Sequence, residues 1–227
     1  MAKTDDQITQ DVLAELTWDP AVTVANLTVS TRGGRVSLHG TADTYGTKLE
    51  AEDAASRVAG VRSVDNVIVV DPAALGLRSD VEIEKDIRKA LALDYRVPET
   101  WLFVSVLNGR VTLSGDVTWD YQRNAAEADA SMIKGVRGID NEITVNQPAA
   151  SATAIAAGIA AAFARNADLS DDNIEVTTDG GHVTLSGTVA TWRELNMAED
   201  IAWMSPGVTS VTNKIEVLSS GKDNDNV

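Results

Sequence analysis

The chain has 227 residues, 44% of them hydrophobic, no cysteine, and a net charge of −15 from 34 acidic and 19 basic residues. That balance opposes nucleic acid and anionic membrane surfaces, which are held mainly through Lys and Arg. The missing cysteines remove disulfides, thiol nucleophiles and cysteine-ligated metals. No stretch approaches the roughly 20 apolar residues of a membrane span, and the N-terminal Met1-Ala2-Lys3-Thr4-Asp5-Asp6 lacks the apolar run of a signal peptide, so the expectation is a cytoplasmic protein.

Thr4 or Asp5 can cap a first helix, in which Ile8, Val12 and Leu16 recur at every fourth position and so share one face. Two strands follow, with alternating Leu27, Val29 and Thr31, then Val36 and Leu38, joined at Gly33-Gly34. A second helix presents the small residues Ala51 and Ala55, which allow close approach to a sheet, and is expected to end at Gly60. A last strand carries Ile68 and Val70.

The same pattern then returns twice. Ser79 or Asp80 precedes Ile83, Ile87 and Leu91; Leu102, Val104 and Val106 turn at Asn108-Gly109 into Val111 and Leu113; Ala126 and Ala130 lead to Gly135; Ile143 and Val145 close the unit. In the third unit Ser151 or Thr153 precedes Ile155, Ile159 and Phe163. Ile174, Val176 and Thr178 turn at Asp179-Gly180-Gly181 into Val183 and Leu185, and Ala198, Ala202, Gly207, Ile215 and Val217 complete it. Two signatures fix the register. Gly34-Arg35-Val36-Ser37-Leu38-His39-Gly40 recurs after 75 residues from Gly109 and after a further 72 from Gly181. A second motif, Gly60-Val61-Arg62-Ser63-Val64-Asp65-Asn66, recurs at Gly135 and Gly207, always 20 residues after the closing glycine of the first. A fixed period sets the architecture: three units at 4–71, 79–146 and 151–218, short linkers at 71–79 and 146–150, and a disordered tail at 219–227. Units this small are marginal alone and are expected to lean on one another.

The order α-β-β-α-β makes the fold class α+β. A right-handed crossover puts the second and third strands parallel, and both helices cover one face of a three-stranded mixed sheet. The other face is left to solvent or to a neighbour.

The Gly-x-Val-x-Leu-x-Gly hairpin and the Gly-Val-x-x-Val-x-Asn segment (Ile139 replacing Val in the second copy) resemble the BON domain, an α-β-β-α-β module. Around Leu113 to Glu127 the chain is similar to the multi-BON, osmotically inducible proteins of bacteria. The resemblance implies binding rather than catalysis, and an association with osmotic stress, envelope integrity and phospholipid. Some cytoplasmic relatives, joined to a LysM domain, are linked to potassium binding; here there is no LysM segment. The expected function is therefore a non-enzymatic binding or scaffold protein without a cofactor. A potassium sensor and a peripheral phospholipid binder are the alternatives.

His39 and His182 occupy different repeat positions and read as solvated strand histidines. Glu52, Glu127 and Glu199 recur on the second helix, either as exposed helix residues or as contributors to a cation site. Asn66, Asn141 and Asn213 are expected to organise the turn into the last strand.

Positions that differ between copies have escaped the shared constraint of the fold. Unit two alone carries Trp101, Phe103 and Leu107 on the outward side of its first strand, and unit one shows Val67 and Val69 on its last. Such faces mark contacts; they either dock units one and two or bind a partner. The first helix of unit three, Thr153 to Ala164, has no charged residue, with Ala156, Ala157 and Ala160 on its outer face. It is either a plain Ala-rich helix or one packed against another unit or another subunit. Trp119, Tyr121 and Arg123 begin the second helix of unit two, with Trp192 and Arg193 near the matching place in unit three. This group reads as an interaction hot spot, suited to a protein partner or a membrane interface, or as a hydrophobic cap on the hairpin.

Overall fold

A computed structural model describes residues 3–71, 78–169 and 173–218, the side chain of Asn173 excepted. The expected tail at 219–227 and most of the linker at 71–79 lie outside the described residues.

Each module opens with a 14-residue helix: α1 (Asp5–Trp18), α3 (Asp80–Leu93) and α5 (Ala152–Arg165). The caps are Thr4, Ser79 and Ser151, whose hydroxyls accept from the amides of Gln7, Glu82 and Ala154 and so satisfy donors a helix start leaves open. The every-fourth residue stripe is the buried face in all three. Asp5 and Asp80, one residue further in, turn outward to the hairpins. Asp5 accepts from Gly33 and Gly34 at 2.7 and 3.0 Å, and Asp80 from Asn108 and Gly109 at 2.8 and 2.9 Å. Module three has Ala152 at this place, and Thr178 Oγ1 donates to its carbonyl instead.

The hairpins are β1 (Val24–Arg32) with β2 (Arg35–Ala42), β5 (Leu102–Leu107) with β6 (Arg110–Val117), and β8 (Asn173–Asp179) with β9 (His182–Val189), each antiparallel. The second helices are α2 (Tyr45–Ser56), α4 (Asp120–Ser131) and α6 (Trp192–Trp203). The closing strands are β3 (Ser63–Asn66) and β4 (Val69–Val70) in module one, β7 (Gly138–Val145) and β10 (Ser210–Val217), and they run parallel to the central strand as the crossover rule requires. One register repeats: Leu38, Leu113 and Leu185 pair with Val29, Val104 and Val176 on one side and with Asn66, Asn141 and Asn213 on the other. Module one departs by a break in its last strand after Asn66 and by an irregularity of β1 beside Asn26, where φ is 53°.

The repeated residues now have reasons. Ala51, Ala55, Ala126, Ala130, Ala198 and Ala202 are fully buried, so the second helix lies close on the sheet. It stops at Ser56, Ser131 and Trp203, and a short turn leads to Gly60, Gly135 and Gly207, whose φ values are 98°, 99° and 90°. A Cβ at Gly135 would lie 2.7 Å from Ile83 Cδ1, so glycine is required there twice over, by dihedral and by space.

The recurring Asn and Glu belong together. Asn66, Asn141 and Asn213 donate to Glu52, Glu127 and Glu199 at 3.2, 2.9 and 3.1 Å and to the carbonyls of Lys48, Arg123 and Leu195. Their Oδ1 atoms accept from the amides of Ile68, Ile143 and Ile215. In modules two and three this Asn sits inside the closing strand rather than in a turn before it, which corrects the expected role. It ties strand to helix.

Modules two and three share one buried cluster, onto which Tyr45 of module one also packs. Module one keeps a cluster of its own, packed only by its own side chains among the described residues.

Candidate binding cleft between modules two and three

The modules meet through their second helices. Arg123, in the first turn of α4, lies with its guanidinium 4.7 Å from the centre of the Trp203 ring at the end of α6. Arg123 also forms an ion pair with Asp120, which is only 5% exposed and accepts from Asn124 at 2.7 Å. A cleft of about 650 Å³ opens beside this contact, walled by Trp119, Tyr121, Asn124 and Ala128 of α4 and its cap, by Asp200 and Trp203 of α6 with Met204 just beyond it, and by Arg96.

Its electrostatics are acidic. Burial raises the Asp120 carboxyl above its ordinary value, opposed by Arg123 and Asn124 and helped by Glu199. Burial also raises Asp200, with Asp120 and Glu199 adding like charge. Asp200 has no side-chain partner among the described residues. Asp200 is nonetheless exposed, and an unpaired carboxylate beside aromatic rings favours a cation that brings apolar surface with it.

Trp119 shows that the cleft is not simply what the fold demands. Modules one and three place Thr44 and Thr191 at the corresponding helix cap, and both hydroxyls accept a backbone amide. Trp119 makes no side-chain cap bond; Gln122 reaches back instead to the amides of Thr118 and Trp119 at 3.0 Å each. A ring at the rim thus stands where the other two modules have a capping hydroxyl.

Of the sequence candidates, Trp119, Tyr121 and Arg123 are brought together here. Trp192 is not: it lies at the opposite end of α6 from Trp203. The cluster's other members, Trp203, Asp120 and Asp200, were not singled out from sequence. Trp203 had a readable signal, since it stands where the other copies have Ser56 and Ser131. The two acids had none: the character of Asp120 comes from burial, and Asp200 is one exposed helix acid among several.

Two expectations of internal packing fail. Trp101, Phe103 and Leu107 are 62%, 68% and 72% exposed, and Val67 and Val69 are exposed as well. The sheet faces do not dock units one and two, because the modules are joined through helix ends and the sheets face outward. Among the described residues, the Ala-rich α5 likewise packs mainly on β8 and α6 of its own module. Ile155, Ile159 and Phe163 are buried, whereas Ala157, Gly158 and Ala160 are exposed and Ala156 is half-buried.

His39 is exposed; His182, also exposed, bonds through its ring to Ser210 and Thr212. Among the described residues no three His, Cys, Asp or Glu side chains are grouped to hold a metal ion, and no helix is long and apolar enough to cross a membrane.

The BON domain profile matches the chain at residues 4–72, 79–147 and 151–219. Osmotically-inducible protein Y of Escherichia coli (strain K12) is 29% identical over 143 residues, covering 61% of this chain and 71% of that protein. Among solved structures, CdsD, a structural protein of the type III secretion system of Chlamydia trachomatis, matches at 14% identity over 92% of this chain and 91% of its own, with a TM-score of 0.25. The PrgH periplasmic domain matches at 15% identity over 92% of this chain and all of its own, with a TM-score of 0.21.

Proposed function

The chain belongs to the BON domain family throughout its length, and from that membership we propose that it is a non-enzymatic binding protein of the osmotic stress response whose cleft between modules two and three takes a basic, aromatic or aliphatic segment of a protein partner. The observation that carries the reading is the cleft itself. Three aromatic side chains, the buried carboxylate of Asp120 and the exposed, unpaired carboxylate of Asp200 converge on it, with Trp119 standing where a helix cap would be expected. The similarity to an osmotically inducible protein supports the physiological part.

Mechanistically, the two outer helix ends are held by the shared core of modules two and three, so the aromatic walls are preorganised. Anchoring side chains enter between Trp119, Tyr121 and Trp203, and a Lys or Arg of the partner meets Asp200. Titration of the intrinsic Trp fluorescence with a peptide array that permutes basic, acidic and aromatic positions tests this. Peptides combining a basic and an aromatic residue should bind, and Asp200→Asn and Trp119→Thr should weaken them. Equal binding of acidic peptides would remove the reading. A calorimetric signal with potassium but not sodium, and none with peptides, would favour a cation sensor instead.

A further inference from the structure

The cleft shares a wall with a second cavity. Arg96 lines both. The second is more open, about 450 Å³, and is bounded by Leu93, Asp94, Tyr95 and Arg96 at and after the end of α3 and by Asp129 of α4. The two repeat one plan. In the first, Asp120 and Arg123 cancel as an ion pair, Asp200 stands without a partner, and Trp119, Tyr121 and Trp203 supply rings. In the second, Arg96 donates from Nε to the two Asp94 oxygens at 3.0 and 2.9 Å and from Nη2 at 2.5 Å, so this pair cancels as well. Asp129 is left with no ion pair or hydrogen bond among the described residues, and its Oδ2 is buried with no donor. Burial raises its carboxyl, with Asp94 adding like charge and Arg96 opposing. Tyr95, 96% exposed, supplies the ring, and Leu93 adds exposed apolar surface. A buried acceptor without a donor costs free energy until one reaches it.

The helix fixes the spacing. Asp120 and Asp129 stand nine positions apart on α4, about 14 Å at 1.5 Å per residue. Asp200 feels the charge of Asp120 and so lies at that end. An extended chain covers about 14 Å in roughly four residues. Charge fixes the occupant. Each cavity keeps one carboxylate that no cation of this chain pairs with, and the Arg96 between them is already neutralised by Asp94. We infer that the two cavities form one groove along α4 for an extended, dibasic segment of a protein partner, with two Lys or Arg side chains about four residues apart, one on Asp200 and the other on Asp129. The inference rests on the reading of the cleft as a site for a basic, aromatic segment; it adds a second anchor and the distance between the two.

Fluorescence anisotropy with three labelled peptides tests this on the full chain. All three carry one Lys beside an aromatic residue. The second adds a Lys four residues further on, and the third adds it directly beside the first. The spaced peptide should bind about tenfold tighter than the single-Lys peptide, the increment of one added charge pair that is partly desolvated. The adjacent-Lys peptide, of equal charge, should gain clearly less. Asp129→Asn should remove the gain and leave the single-Lys peptide at its parent affinity, which also shows that the variant folds. Asp200→Asn should weaken all three. A spaced peptide that gains nothing, that gains no more than the adjacent-Lys peptide, or that keeps its gain in Asp129→Asn would overturn the second anchor and leave the cleft reading standing. Failure of the single-Lys peptide to bind the parent would remove the cleft reading and this inference with it.

Discussion

Asp5 and Asp120 occupy early positions of helices and titrate in opposite directions. Hydrogen bonds from the Gly33 and Gly34 amides hold the Asp5 carboxyl low, so its contribution is present at neutral pH and is lost as pH falls through its folded value. Burial holds Asp120 high; its cost is present at neutral pH and is relieved as pH falls through a folded value above 3.8. Melting temperature should therefore rise slightly as pH falls from 7 towards the folded Asp120 value and drop below about 4, and Asp120→Asn should shrink the rise; differential scanning calorimetry across that range decides. Arg123→Ala leaves Asp120 buried without its ion pair and uncovers Trp203, and should cost about 2 kcal/mol in denaturant unfolding. Trp119→Thr restores a hydroxyl cap, worth about 1 kcal/mol, against the burial lost with the ring. Stability should stay within about 1 kcal/mol of the parent while peptide binding falls. If stability instead collapses, Trp119 is a structural plug and not a recognition residue.

At the level of elements, almost every helix and strand was legible before the fold. Ile8, Val12 and Leu16 recur at helical spacing and are the buried stripe of α1, because spacing of four is a property of the helix alone. The hairpins were visible in Gly33-Gly34 and Asn108-Gly109, where φ is positive at all four residues, Asn108 included. What failed was the docking of units one and two through outward faces. Trp101 and Phe103 were expected either to dock these units or to bind a partner, and the first is excluded by their exposure; exposure is decided by where the other modules sit, and a strand's alternation says only which side a residue is on. The double change Trp101→Ser, Phe103→Ser should accordingly leave stability within about 0.5 kcal/mol. Gly135→Ala, by contrast, combines a positive φ with contact against Ile83 and should cost about 2 kcal/mol or more.

The whole molecule divides unevenly. One buried cluster runs through modules two and three and another fills module one, with Tyr45 and Gly46 the described bridge between them. Calorimetry should resolve two transitions, the smaller belonging to module one, and Tyr45→Ala should separate them further; a single transition in the parent would show that the helix-end junction couples all three modules. The junction of modules two and three explains why the cleft was only half legible. Trp119, Tyr121 and Arg123 are adjacent in sequence, but Trp203 lies 80 residues beyond Arg123 and enters only because α6 ends against the start of α4.

The sequence by itself determined the module: its threefold period, the caps, the hairpin glycines, the alanine stripe and the parallel closing strand all follow from local spacing and sterics. Only the tertiary structure decided how the modules join, and with it which aromatic residues line a cleft and which stand in solvent. The physical reason is range. Helical and strand periodicity are written within a few neighbouring residues, whereas the contact of one helix end with another depends on the placement of whole modules that no local pattern encodes.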